Sequence, residues 1–269
     1  MIVTGNDDEE IAKLRAEFFI RFEMKDLGEL SHFLGLEVSS LKGGIFVSQQ
    51  GYAKKLVRRF GLNQSKWCST PLDVNIMLRH EKGKLLPDPR PYRALVGSLI
   101  YLTITRPDIA FSVGLVSLSM QAPRKPHLEA AKLILKYVYS TIDMGLFFKK
   151  GAVIELHGFS DANLGGDLDD RKSTSSYAFS CGSSYISWCS KKQDSVSLST
   201  TKAEYKAASL AAQECVWLRR LIEDIYSPIH KPTIIYGDNQ SALKLATNPV
   251  VTQGQSTLRL SIILFVKRC

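Results

Sequence analysis

Ile234–Leu245 reads IIYGDNQSALKL. Ile234, Ile235 and Tyr236 form a short apolar run, Gly237 breaks it, and Asp238 stands where a helix should begin. A carboxylate at the lip of a buried strand is unfavourable unless something binds it. Two other acids occupy comparable places. Asp161 closes the run VIELHGFSDAN, and Glu204 lies in the first turns of a long helical stretch, in TTKAEY. Adjacent strands can bring Asp161 beside Asp238, and a helix packed across their ends can add Glu204. Three carboxylates at one point repel one another unless cations hold them. Oxygen-only ligation suits Mg²⁺ or Mn²⁺, which take few carboxylates and keep waters for substrate phosphates. The same residues also admit a plainer reading, with each Asp a turn or cap residue and Glu204 a solvated helix acid.

Outward from these acids, the pattern is a mixed α/β fold. VIELHGFSDAN, SSYAFSC and SYISWCS read as consecutive strands, with turns at Gly165-Gly166 and Gly182-Ser183. STTKAEYKAASLAAQECVWLRRLIEDI is a long helix capped by Ser199 or Thr200, and a strand at Thr233–Tyr236 and a helix from Gln240 to Ala246 follow. Three strands, a helix, a strand and a helix predict a mixed sheet with flanking helices. A boundary falls near Lys149-Lys150-Gly151. Before it, DDEEIAKLRAEFFIRFEMK has acids at its front and Ile11, Leu14, Phe18 and Phe22 at helical spacing. HFLGLEVSSLKGGIFVSQQGY predicts two strands joined at Lys42-Gly43-Gly44, and YAKKLVRRFGL a basic helix closed by Gly61. The stretch from Trp67 to Pro91 has no period and reads as a loop. Three further helices are expected in YRALVGSLIYLT, in RPDIAFSVGLVSLSM, and in KPHLEAAKLILKYVYST with its stripe of Leu128, Ala131, Leu135 and Val138.

Composition narrows the function classes. The chain has 269 residues, enough for one or two domains, and 45% are hydrophobic, which supports a core. Lys and Arg number 35 against 26 Asp and Glu, a net charge of +9 that leans toward a polyanionic partner. The five cysteines form no CxxC pair, which argues against a zinc site and fits a reducing, intracellular compartment, cytoplasmic or nuclear. MIVTGNDDEE is not a secretion signal, and no stretch approaches the length of a membrane span, so no membrane partner is expected. His127 has no Ser or Cys partner pattern for a triad, and His157 reads as packing or surface. Trp67, Trp188 and Trp217 are expected in the core rather than as base-stacking platforms.

FSDANLGGDLDDRKSTSSYAFSCGSSYISWCSKKQDSVSLSTTKAEYKAASLAAQECVWLRRL, followed by YGDNQSALKLATNPV, resembles the ribonuclease H domain of copia-type retrotransposon polyproteins. MKDLGELSHFLGLEV, YRALVGSLIYLTITRPDIAFSV and PHLEAAKLILKYV are similar to the region between polymerase palm and ribonuclease H in the same family. The resemblance implies a ribonuclease H-like mixed sheet over residues 151–250, preceded over 1–150 by an α+β remnant of the polymerase palm and connection. It implies two-metal hydrolysis of the RNA strand in RNA–DNA hybrids, with Asp161, Glu204 and Asp238 matching the family's first three metal-binding carboxylates. Such an enzyme recognises the RNA 2′-OH, groove shape and backbone rather than base sequence. Arg171, Lys172, Lys191 and Lys192 are the expected phosphate contacts; the alternative for them is a solvated surface.

The pattern departs from the family at both ends. In the family, a stretch like MIVTGND stands directly after the Tyr-x-Asp-Asp signature of the palm, so the polymerase aspartates are expected to be missing and no reverse transcription is expected. After Asn248-Pro249-Val250 the family reads His-x-Arg-x-Lys-His-Ile-x-Ile, whereas this chain reads VTQGQSTLRLSIILFVKRC. One permitted codon choice for that tail, read from its third base, spells HARAKHIEIEYHFVREEM. Residues 251–269 are therefore expected to be an out-of-frame tail. The family's fourth carboxylate, its final strand and its helix then have no match. LRLSIILFV is apolar enough to collapse onto the sheet or to aggregate. The site is accordingly expected to be impaired, and the competing reading is an inactive or merely nucleic-acid-binding remnant.

Overall fold

The computed structural model describes residues 2–267 apart from positions 6, 24, 63–65, 74, 75, 227 and 247–262. Its architecture is mixed α/β, with two sheets and seven α-helices among the described residues.

The first sheet is antiparallel, in the order β1 (His32–Phe33), β2 (Leu36–Leu41), β3 (Gly44–Ser48), β4 (Leu146–Lys149). Leu41 pairs with Gly44 across a two-residue turn in which Gly43 takes φ +96, a conformation glycine adopts without a Cβ clash. Between β3 and β4 the chain builds a helical layer: α2 (Gln50–Arg59), α3 (Arg90–Leu102), α4 (Ala110–Ser117) and α5 (Lys125–Ser140). Their apolar stripes meet in one core that includes Leu56, Tyr92, Leu95, Leu99, Ile134 and Val138. The link between α3 and α4 is fixed by Arg106, which is 4% exposed. Arg106 donates to both carboxylate oxygens of Asp108, at 2.9 and 2.7 Å, and to the carbonyl and hydroxyl of Thr141 at the end of α5. Burial alone would raise the Asp108 pKa, but the Arg106 hydrogen bonds and charge, with the Tyr137 hydroxyl, outweigh it and hold the carboxyl below its usual range.

The second sheet has the order β7-β6-β5-β8-β9. Strands β5 (Leu156–Asn163), β6 (Thr174–Cys181) and β7 (Ser184–Lys192) form an antiparallel meander. Strand β8 (Thr233–Gly237) lies parallel to β5, and β9 (Ile263–Lys267) lies parallel to β8. The 26-residue α6 (Thr200–Ile225) packs across β5 and β6. Ala203, Ala207, Ala208, Ala211 and Ala212 are all buried along it, and such small side chains let the helix backbone approach the sheet closely. Gly158 makes room within the sheet itself for its cross-strand neighbour, because a Cβ there would stand 2.4 Å from Phe179 Cε1. Helix α7 (Gln240–Ala246) rests against α6 and β9. The two halves meet through β7, where the Trp188 indole donates to the Thr103 carbonyl at 2.9 Å and α4 packs nearby.

Several sequence expectations change here. Helix α1 (Asp8–Arg21) forms as read, with Asp7 capping it, yet none of its residues is buried. Strand β4 was not foreseen, because four residues are too few to show an alternating pattern. Trp67 and Trp217 are exposed, the first in the long loop and the second off the sheet-facing stripe of α6, whereas Trp188 is half-buried. The apolar tail does join the sheet: β9 forms its edge, with Ile263 and Phe265 buried. The junction after Val250, where the reading frame is expected to change, lies outside the described residues.

Candidate metal centre

Strand register sets the site. Phe159 pairs with Tyr236 across the parallel β5–β8 ladder, their rings stacked with centroids 5.3 Å apart. Asp161 and Asp238 each stand two residues beyond that pair, so the 2-residue side-chain period carries both carboxylates to the same level at the strand ends. Gly237 sits tightly between them and α7: a Cβ would lie 3.2 Å from Leu243 Cδ2. Asn239 then opens α7 by accepting the Ala242 N–H at 3.0 Å, which turns the chain away just after Asp238.

Glu204 comes from α6. Ser199 caps that helix by accepting the Lys202 N–H, and the first turn is tied to the sheet by Gln193. The Gln193 amide donates to Ser175 Oγ at 2.9 Å and to the Ala203 carbonyl at 3.0 Å, and accepts from Ser197 Oγ at 2.8 Å. Gln193 is thus a positioning residue that the sequence reading missed, since one polar residue in a loop leaves no periodic signal. The Glu204 carboxylate itself accepts the Ala162 N–H at 3.2 Å.

The structure brings the three acids together. Carboxylate oxygens of Asp161, Glu204 and Asp238 lie within 4.8 Å of one another, with Glu204 buried and both aspartates exposed. A depression lined by Phe159, Ser176, Ala178 and Tyr236 opens beside Asp161 and Asp238. Burial, then the charges of Asp161 and Asp238, push the Glu204 pKa up to about 7 against the single opposing Ala162 hydrogen bond. The donor set fits a hard divalent cation: three carboxylates, no sulfur or imidazole, and like charges left in mutual repulsion.

That repulsion has a pH signature. The metal-free folded chain holds the Glu204 proton more tightly than the unfolded chain, whose glutamates titrate near 4.5. The stabilisation is therefore fully present below that value and lost as pH rises toward 7, about 3 kcal/mol in all. Denaturant melts of the metal-free chain are expected to show falling stability across that window, and Glu204→Gln is expected to flatten the fall.

The four basic candidates separate. Lys192 reaches Asp167 and Asp170, at 2.5 and 2.8 Å, and Lys172 lies 3.7 Å from Asp170. Arg171, in the left-handed region at φ +58, and Lys191 make no ion pair among the described residues. His127 is fully buried and structural, accepting the Arg124 N–H through Nδ1 at 3.0 Å. A second cluster, His80 with Asp167 and Asp169, escaped the sequence reading because it joins two distant loops. Its Asp167 is already neutralised by Lys192, and its Asp169 accepts the His80 N–H at 2.6 Å, so it ties the two halves together. Among the described residues no helix is long and apolar enough to cross a membrane.

Comparison with known proteins agrees with the resemblance. The family model described as reverse transcriptase (RNA-dependent DNA polymerase) matches residues 1–74. The chain is 39% identical over 250 residues to the retrovirus-related Pol polyprotein from transposon RE1 of Arabidopsis thaliana, covering 93% of this chain and 17% of that protein. It is 38% identical over 260 residues to the corresponding polyprotein from transposon TNT 1-94 of Nicotiana tabacum, covering 92% of this chain and 19% of that protein. An uncharacterized mitochondrial protein of Arabidopsis thaliana is 35% identical over 217 residues, which covers 81% of this chain and 90% of the relative. The chain thus spans less than a fifth of the length of the transposon polyproteins it matches. Over most of its own length it belongs to the family of copia-type retrotransposon Pol polyproteins.

Proposed function

We propose that the second half of this chain is a ribonuclease H-like domain that hydrolyses the RNA strand of RNA–DNA hybrids with Mg²⁺ or Mn²⁺. The observation that carries the reading is the convergence of three carboxylates from β5, α6 and β8 at one sheet end, within 4.8 Å. Asp161 and Asp238, both exposed, are the groups that would hold cations at the open face, and Glu204 would complete the set from the buried side. Bound there, two such ions supply charge stabilisation for the attacking and leaving oxygens of an in-line displacement at phosphorus. Arg171 and Lys191 are the basic candidates free to meet phosphates, and the shallow face beside the acids leaves room for a duplex backbone.

One observation favours a second reading, in which the domain binds nucleic acid without cutting it. Among the described residues three carboxylates form the cluster, one fewer than the family resemblance implies. Both readings are tested by incubating the full chain with an end-labelled hybrid in Mn²⁺ and in Mg²⁺, beside Asp161→Asn. Cleavage by the parent that the variant lacks is the expected result. Equal cleavage by both dismisses this site, and binding without cleavage by either selects the second reading.

A further inference from the structure

Strand β8, TIIYG, does not settle its own register. Thr233, Ile235 and Gly237 are buried on the α6 side, and Ile234 and Tyr236 are half-buried on the other face. Because Ile234 and Ile235 are the same residue type, a slip by one position seats one where the other packs and changes apolar burial little. Strand β9 gives no help, since its first residues, ILFV, are all apolar. Yet the slip moves Asp238 by about 3.3 Å and turns it to the opposite face, away from Asp161. Arg219 stands where this is decided. It lies on α6, is 4% exposed, and makes no ion pair among the described residues. A guanidinium buried without a carboxylate is unfavourable unless its donors meet acceptors. One guanidinium nitrogen, Nη1, donates to the Lys231 carbonyl at 2.8 Å and to Thr233 Oγ1 at 2.9 Å, and Nη2 donates to the Ile229 carbonyl. These acceptors lie in the connection from α6 and at the first residue of β8.

We infer that Arg219 is the register clamp of β8, a positioning residue that holds Asp238 level with Asp161 from the far end of the strand. The inference rests on the carboxylate cluster being a cation site, and adds what sets its geometry. The planar guanidinium fork argues for a register role over charge alone. It meets acceptors on Ile229, Lys231 and Thr233 at once, so a shift of the strand by one residue breaks these contacts together. Thr233 is buried and is the one Ser or Thr of β8, so its hydroxyl marks a single position along the strand. Glu204 lies on the same helix as Arg219. One rigid element therefore places the third carboxylate and also aligns the strand that leads to Asp238.

The test uses the full chain and reads two quantities. Titration calorimetry gives Mn²⁺ affinity, and the NMR cross-strand contact of Phe159 with Tyr236, recorded in EDTA, gives the register. Arg219→Lys keeps the charge and loses the fork. It is expected to bind Mn²⁺ at least about tenfold more weakly, the lower end of the loss for supporting groups at metal sites, and to lose the Phe159–Tyr236 contact. Thr233→Val removes one acceptor and keeps the side-chain shape. It is expected to weaken Mn²⁺ binding about threefold, and it carries the test if Arg219→Lys does not fold. Ile222→Ala, in the same core on α6, is expected to lower the Tm while leaving Mn²⁺ affinity and the contact unchanged. Adding Ile234→Thr to Arg219→Lys makes the slip bury a hydroxyl. That double variant is expected to recover most of the lost affinity, an effect foreign to a merely structural role. Full Mn²⁺ affinity in Arg219→Lys, an intact Phe159–Tyr236 contact in it, an equal loss of affinity in Ile222→Ala, or no recovery with Ile234→Thr overturns the inference. A parent chain that binds no Mn²⁺, with the contact still lost in Arg219→Lys, supports the clamp and sinks the cation reading instead.

Discussion

Mn²⁺ is expected to raise the Tm of the parent chain, and Asp238→Asn is expected to abolish that rise and to lower any hybrid cleavage at least a hundredfold. Asp238 is one of two exposed carboxylates in a set of three, so its amide removes a full charge from the side a cation must enter. Outer-shell changes at metal sites already cost 10- to 100-fold, and loss of a direct ligand is expected to exceed them. A hundredfold loss corresponds to about 2.7 kcal/mol of transition-state stabilisation. The same substitution also removes a negative neighbour of Glu204. In the metal-free chain the Glu204 proton should then be held less tightly, and stability near pH 7 should rise rather than fall. Calorimetry with and without Mn²⁺ separates the two effects. A variant that loses stability in EDTA but keeps the full Mn²⁺ shift would sink the assignment.

Arg106→Met is expected to lower stability by about 3–5 kcal/mol, the range for breaking a buried ion pair by removing one partner. Arg106 is the buried member, bonded to Asp108 and to the Thr141 carbonyl and hydroxyl, so its loss leaves acceptors on two elements unsatisfied. In a chain of this size the Tm should fall by roughly 10 °C. Adding Asp108→Leu is expected to recover part of the loss, since apolar replacement of a whole buried pair is often neutral. The pair also gives the first half its own acid sensitivity. Asp108 titrates below the usual carboxylate range, so its contribution is present above that range and lost as pH falls through the lowered value. The Mn²⁺ shift should survive in the folded fraction of Arg106→Met, because the carboxylate cluster belongs to the other sheet.

The legible and illegible parts of this chain differ for physical reasons. Asp161 and Asp238 could be read because each follows an apolar strand, where a charge needs a reason. Glu204 could be read because the helix cap at Ser199 fixed the start of α6. The register that sets Phe159 opposite Tyr236, and so levels the two aspartates, is a tertiary fact with no local signal. Gln193 and the His80–Asp169 contact were hidden for the same reason, being polar contacts between segments far apart in sequence. Helix α1 shows the opposite failure: an apolar stripe was present, but burial depends on a partner, and none of its residues is buried. Strand β4 was too short to declare itself.

The parallel pairing of β5 with β8 joins His157 to Ile234 only after the meander and the whole of α6 have been made. Two of the three carboxylates therefore remain strangers until the slowest kind of contact, a long-range parallel one, has closed. On a ribosome, the chain would carry Asp161 and Glu204 well before Asp238 emerges. Cation uptake by the proposed site would thus report the closure of β8 on β5, and a nascent chain arrested before β8 is expected to be blind to Mn²⁺.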